Sequence, residues 1–222
     1  MLEKYKTLIS IVEKELSCSA HNMDHVKRVF NTCITIAKNE SNVDLDVLLP
    51  AALLHDIARV KEIQDETGEI DHAKLGSEMA EAILDELGYK GDVIEKIKHC
   101  IITHRFRSDN FPRTIEAKIL FDADKLDAIG AVGLSRSYML AGQHGQKIYI
   151  NKPIKEYMED NTAENGRLKD ISKHSPMIEY EFKFKEIPKK LYTKKAKELA
   201  KSRIKFMDEF FNRLKLEIEG MK

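Results

Sequence analysis

Apolar residues recur with the period of an α-helix over most of this chain. The most apolar stretch, PAALLHDIA at 50–58, closes on two adjacent side chains that a protein core rejects, His55 and Asp56. A helical period sustained this widely leaves little sequence for a sheet and predicts an all-α bundle of at least six helices. Residues 2–16 carry Leu2, Tyr5, Leu8, Ile9, Val12 and Leu16 on one stripe, and 22–39 repeat the pattern from Met23 to Ala37. Pro50 lacks an N–H and belongs in a first turn, so a short buried helix is expected over 47–58, starting near Asp46. KEIQDETGEIDH (61–72) reads as a loop, and the Ala-rich helix after it (72–87) stops at Gly88. Asp92 and Glu95 suggest a capping-box start for a helix reaching about His104. A long helix over 114–140, broken at Gly130 or Gly133, and a closing helix over 193–219 complete the set.

Between 141 and 174 the period fails. Gly, Asn and Lys populate the stretch, and two short pieces (147–150 and, just beyond it, 180–183) look strand-like. The 222 residues suit one domain spanning 1–222, with a core at 20–130 and an irregular insertion at 141–175 before the C-terminal helix. An insertion of that length is expected to act as a lid or to extend onto a neighbouring subunit, which allows a homodimer. Gly142, Gly145 and Gly166 would permit hinges, and Lys147, Lys152 and Arg167 would bring positive charge.

Thirty-seven basic residues balance thirty-seven acidic ones, so no global field selects nucleic acid or an anionic membrane. Trp is absent, which weakens any aromatic platform for nucleic-acid bases. No apolar run is long enough to span a bilayer, and the expected compartment is the cytoplasm. Cys18, Cys33 and Cys100 are odd in number, lack CxxC spacing and read as reduced core thiols.

A lone histidine on a helix is more often structural than a ligand. Asp124 changes the weighing, because it falls on the face of Ala117, Leu120, Ala128 and Ala131 that should be core. A buried carboxylate without a partner would neutralise or give way to an apolar residue, and the partner read for Asp124 is either a nearby Lys or Arg or a metal ion. An ion would give Asp124, His25, His55 and Asp56 a common purpose. Asp122 and Asp127 fall on other faces and read as exposed or supporting.

In that order, His25, His55-Asp56 and Asp124 within ADKLDA resemble the H…HD…D signature of the HD superfamily of metal-dependent phosphohydrolases. SAHNMDHVKRVF, LLPAALLHDIAR, DHAKLGSEMAEAIL, KHCIITH and LFDADKLDAIGAVGLSR are similar to that family's segments in order, although Asn22 stands where relatives often have Asp. The resemblance covers residues 20–219 and implies an HD-domain helical bundle. It implies a divalent ion (Mn, Fe, Co, Ni, Zn or Mg) on His25, His55, Asp56 and Asp124. His72 and His104 match the order of the extra histidines of two-metal relatives. They are read here as phosphate-facing groups beside one ion, with second-ion ligation as the alternative. Arg28 and Arg136 lie in the matching segments and, with Arg59 and Lys125, are the candidates for substrate phosphate. His21 would line the mouth of the site, while His144 and His174 read as surface or lid residues. The function implied is hydrolysis of a phosphate ester or anhydride of a small metabolite, a nucleotide above all. The alternative is a regulatory module that binds nucleotide or metal without turnover.

Overall fold

A computed structural model of the chain describes residues 2–16, 23–105, 110–163 and 168–222, with the side chains of 2 and 3 left aside. Cys18, His21, Asn22, Gly166 and Arg167 therefore lie outside the described residues. The described residues are helical and contain no strand; their one β-bridge, Thr162 to Leu168, is isolated. None of the described helices is long and apolar enough to cross a membrane. The chain divides into two compact units: Met1–Asp124 with Leu191–Ala196, and Lys125–Lys190 with Lys197–Lys222.

In the first unit, helix α1 (Lys6–Glu15) follows a 3-10 turn and buries Leu8 and Val12. Helix α2 (Met23–Ala37) buries Val26, Val29, Phe30, Cys33 and Ile36, the stripe expected from its period, together with His25. Helix α3 (Leu45–Leu54) is buried on every side from Val47 to Leu54. It packs against α1, α2 and α6 (Gly91–Thr103), and α6 packs in turn on α5 (His72–Glu86). A helix surrounded this way needs no polar face, which is why its sequence reads as one apolar run. Pro50 sits inside α3, beyond the first turn where it was expected, because the helix begins at Leu45 with Asp44 accepting from Asp46 N. The price is one missing backbone bond in an otherwise close-packed core. After a turn at 55–58, α4 (Arg59–Gln64) takes up the start of the polar stretch expected to be loop. Asp71 caps α5 through Ala73 N and Lys74 N, and Gly88, at φ +76°, ends it. The capping box expected at Asp92 does not form; Lys90 is the N-cap of α6 and no side chain caps it.

Helix α7 (Ile115–Asp127) is followed by α8 (Gly130–Gln143), and Gly130, at φ +79°, makes the break. A Cβ there would lie 2.8 Å from Arg203 Cγ, so both backbone and neighbour require glycine. The second unit continues with α9 (Ile154–Asn161), α10 (Pro176–Phe182), α11 (Ile187–Lys190) and most of α12 (Lys194–Ile218). The insertion at 141–175 thus holds a helix of its own. Neither strand-like piece is a strand: 147–150 has no regular structure, and 180–182 belongs to α10. Alternation over four residues is too short to tell the two periods apart.

Candidate metal centre

The centre begins where α3 ends. The last carbonyls of a helix lack intrahelical partners, and Ala52 O pairs with His55 Nδ1 at 2.9 Å. A carbonyl only accepts, so the proton of the neutral ring sits on Nδ1 and Nε2 presents a lone pair. His55 is fully buried, and loss of hydration pushes its pKa down to about 4. His104 repeats the device at the end of α6, with Nδ1 against Ile101 O. In both cases a helix terminus fixes the ring and leaves Nε2 aimed inward.

Asp56, the next residue after His55, stands between two imidazole pairs. Its Oδ2 lies 3.6 Å from His25 Nε2 and 3.8 Å from His55 Nε2. Its Oδ1 lies 3.5 Å from His72 Nε2 and 3.7 Å from His104 Nε2. Within each pair the Nε2 atoms face one another, at 3.3 Å for His25 and His55 and 3.2 Å for His72 and His104. Asp124 Oδ1 closes the first group, 3.4 Å from His25 Nε2 and 4.0 Å from His55 Nε2. The ligand atoms of His25, His55 and Asp56, and those of Asp56, His72 and His104, each lie within 4.8 Å of one another.

This arrangement fits divalent cations. Two lone pairs pointed at each other repel unless a proton or a cation lies between them, and imidazole with carboxylate is a borderline donor set suited to first-row metals. The centre offers donors without thiolate, since Cys33 and Cys100, buried as expected, belong to neither group. The groups overlap at one carboxylate, so Asp56 could bridge two ions through its separate oxygens.

His72 is held from its outer side. Its Nδ1 lies 2.8 Å from Glu62 Oε2 and 2.9 Å from Arg59 Nη1, and those two atoms are 2.7 Å apart. Burial is the main cause that lowers the His72 pKa to about 4, with His104 next. Arg105 pairs with Glu62 at 3.1 Å and with the cap residue Asp71 at 2.7 Å.

The structure brings His25, His55, Asp56, Asp124, His72 and His104 together. Arg59 stands against His72. Arg28 lies half-buried on α2, almost one turn after His25, and Lys125 directly follows Asp124. Arg136 belongs to the second unit, where it pairs with the buried Asp127 at 2.7 Å and lines a cavity of about 340 Å³ with His144, His174, Glu179 and Lys183. Sequence reasoning missed three features. Glu62 lies in what read as a loop. Asp122 is fully buried and accepts from Tyr192 N, Thr193 N and Thr193 Oγ1 at 2.7–2.9 Å, which fixes the start of α12. His174 is buried, bonded to Tyr157 Oη at 2.8 Å and to Glu179 at 3.1 Å, rather than at the surface.

Residues 22–129, the segment that carries all six convergent side chains, match the model of the HD domain. The chain carries an HD domain over these residues. It is 28% identical over 226 residues to the uncharacterized protein YpgQ of Bacillus subtilis, covering 99% of this chain and 94% of that protein. The crystal structure of Bacillus subtilis YpgQ in complex with ADP superposes with a TM-score of 0.71 at 27% identity, over 97% of this chain and 98% of the other. A predicted HD superfamily hydrolase from an uncultured Thermotogales bacterium gives 0.65 at 26% identity, over 96% and 91%. The 3'-5' exoribonuclease YhaM of Halalkalibacterium halodurans is 30% identical over 117 residues, which is 47% of this chain but only 36% of that enzyme. The HD domain here draws its converging side chains from α2, the end of α3, α5, the end of α6 and α7.

Proposed function

We propose that this HD protein is a metal-dependent phosphohydrolase that transfers a phosphoryl group of a small metabolite, a nucleotide, to water. The observation that carries the reading is the pair of opposed imidazole pairs around Asp56, with Nε2 facing Nε2 at 3.2–3.3 Å in each. We assign one ion to His25, His55, Asp56 and Asp124, and a second to Asp56, His72 and His104. The two-ion form is preferred to phosphate-facing histidines because His72 and His104 meet Asp56 Oδ1 as His25 and His55 meet Oδ2. Divalent ions so held would supply a water-derived nucleophile near neutral pH and polarise the phosphoryl oxygen.

The chain's own groups do the rest. The carbonyls of Ala52 and Ile101 keep His55 and His104 in the tautomer that leaves Nε2 open. Burial keeps His55 and His72 neutral at working pH, so that protons do not compete for the ligand positions. Arg28 and Lys125, beside His25 and Asp124 in sequence, are assigned to the charge of the phosphate. The nucleotide reading is supported by the ADP complex of YpgQ, which aligns along nearly the whole chain.

The test is phosphate and pyrophosphate release from a panel of nucleoside mono-, di- and triphosphates, each with Mn²⁺, Co²⁺, Ni²⁺, Zn²⁺ or Mg²⁺. Metal-dependent turnover of at least one nucleotide, abolished by chelation, is expected. Nucleotide binding without turnover under every metal would instead make this a sensing module.

A further inference from the structure

The contact between His72 and its two outer neighbours contains a conflict. An imidazole nitrogen in the ring plane either carries a proton or presents a lone pair. His72 Nδ1 nevertheless stands at hydrogen-bond distance from an obligate acceptor, Glu62 Oε2, and an obligate donor, Arg59 Nη1. The two partners therefore favour opposite tautomers. With the proton on Nδ1, Glu62 is satisfied, and Nε2 offers its lone pair beside Asp56 Oδ1. With the proton on Nε2, Arg59 donates to Nδ1, and Nε2–H finds the His104 Nε2 lone pair at 3.2 Å, which the Ile101 carbonyl has fixed as an acceptor. Every nitrogen of the pair is satisfied in this second form without an ion. In the first form the two Nε2 lone pairs oppose each other, and only a cation relieves them.

We propose that Glu62 and Arg59 are opposed positioning residues that set the second ion position through the tautomer of His72: Glu62 opens it and Arg59 closes it. The inference rests on the two-ion reading above. Opening moves one proton from Nε2 to Nδ1 by exchange with water; the ring is neutral before and after, and no net proton is released. Glu62 keeps its place without Arg59, because Arg105 holds its other oxygen at 3.1 Å and is itself anchored on Asp71, the cap of α5. Arg59 is less well provided for, since its buried Nε finds no acceptor among the described residues. The His55 side of the first ion position differs. The outer nitrogen of His55 meets a carbonyl alone, and its tautomer is fixed.

Manganese binding to the full-length protein, counted by calorimetry and electron paramagnetic resonance, tests this together with ¹⁵N-histidine NMR during a Zn²⁺ titration. Native protein should take two ions per chain, and His72 should change from Nε2–H to Nδ1–H as the weaker site fills. Glu62→Ala should weaken that site about 10–100-fold, as loss of an outer-shell partner does. Glu62→Gln, which keeps an acceptor and the shape, should lose less. Arg59→Met should tighten the same site several-fold, and the stronger site should be unmoved in all three. A merely structural role for the cluster predicts that every variant weakens binding, so a weakened or unchanged second site in Arg59→Met overturns the proposal while two-ion binding stands. A His72 already in the Nδ1–H form without metal overturns it equally. One ion per chain in native protein, with His72 resonances unmoved by Zn²⁺, would overturn the two-ion reading and this inference together.

Discussion

Two buried histidine networks, one in each unit, look alike in outline and differ in where their ring nitrogens converge. In the second unit, His174 has Tyr157 Oη on one nitrogen and Glu179 on the other. Asn161 donates to the same Tyr157 oxygen, and Lys183 donates to Glu179 at 2.7 Å. Each ring nitrogen meets a group it can pair with, so the network is complete as it stands. In the first unit, the inner nitrogens of four imidazoles face one another around Asp56, and the outer nitrogens of His55, His104 and His72 are already engaged. Burial and a nearby carboxylate are common to both. What separates a structural histidine from a candidate ligand here is whether its second nitrogen converges with others on one carboxylate within ligand distance.

The sharpest way to break this comparison is Asp56→Ala. It removes both oxygens that join the two imidazole pairs, and should empty both ion positions and cut phosphohydrolysis by about a thousandfold or more. Full metal content by elemental analysis of that variant would contradict the site. Asp124→Ala should likewise lose metal from the first position, whereas Asp122→Asn, two residues away on the same helix, should keep its metal. The cost at Asp122 is stability, about 2 kcal/mol, because the N–H groups of 192 and 193 lose a charged acceptor. Equal metal loss in the two variants would erase the distinction drawn between them.

The second network should respond to acid alone. Burial raises the Glu179 pKa, but the His174 hydrogen bond and the Lys183 ammonium outweigh it and hold the carboxyl at about 2, against 4.5 ordinarily. A folded-state pKa below the unfolded value means stability that is complete above about pH 4.5 and lost as the pH falls through about 2. The contribution is on the order of 2–3 kcal/mol at neutral pH. Thermal melts of native protein and Glu179→Gln should therefore converge on acidification; a gap constant down to pH 2.5 would show that the pairing contributes nothing. The smallest effect is expected from Tyr157→Phe, about 1 kcal/mol with metal content unchanged, since one neutral hydrogen bond is lost. A fall in metal stoichiometry there would mean that the two networks are not independent.

Helix periods, the stop at Gly88 and the break at Gly130 were legible in the sequence because they are set by near neighbours: side-chain spacing along 3.6-residue turns and positive φ at glycine. The sequence also singled out His25, His55, Asp56 and Asp124 as one group, and these side chains do converge in the structure. The sequence alone also gave Asp124 the deeper position, whereas its side chain is 17% exposed and Asp122 is the fully buried one. No local rule could have reversed that order, because the partners of Asp122 are backbone groups seventy residues away. The same holds for Glu62, whose meaning depends on His72 and Arg105, and for His174, whose partners come from α9 and α10. Local spacing determined which residues had the chemistry. Only the tertiary structure decided which nitrogen of each histidine was already taken, because a hydrogen bond requires its partner within about 3 Å, and chain segments distant in sequence supply those partners.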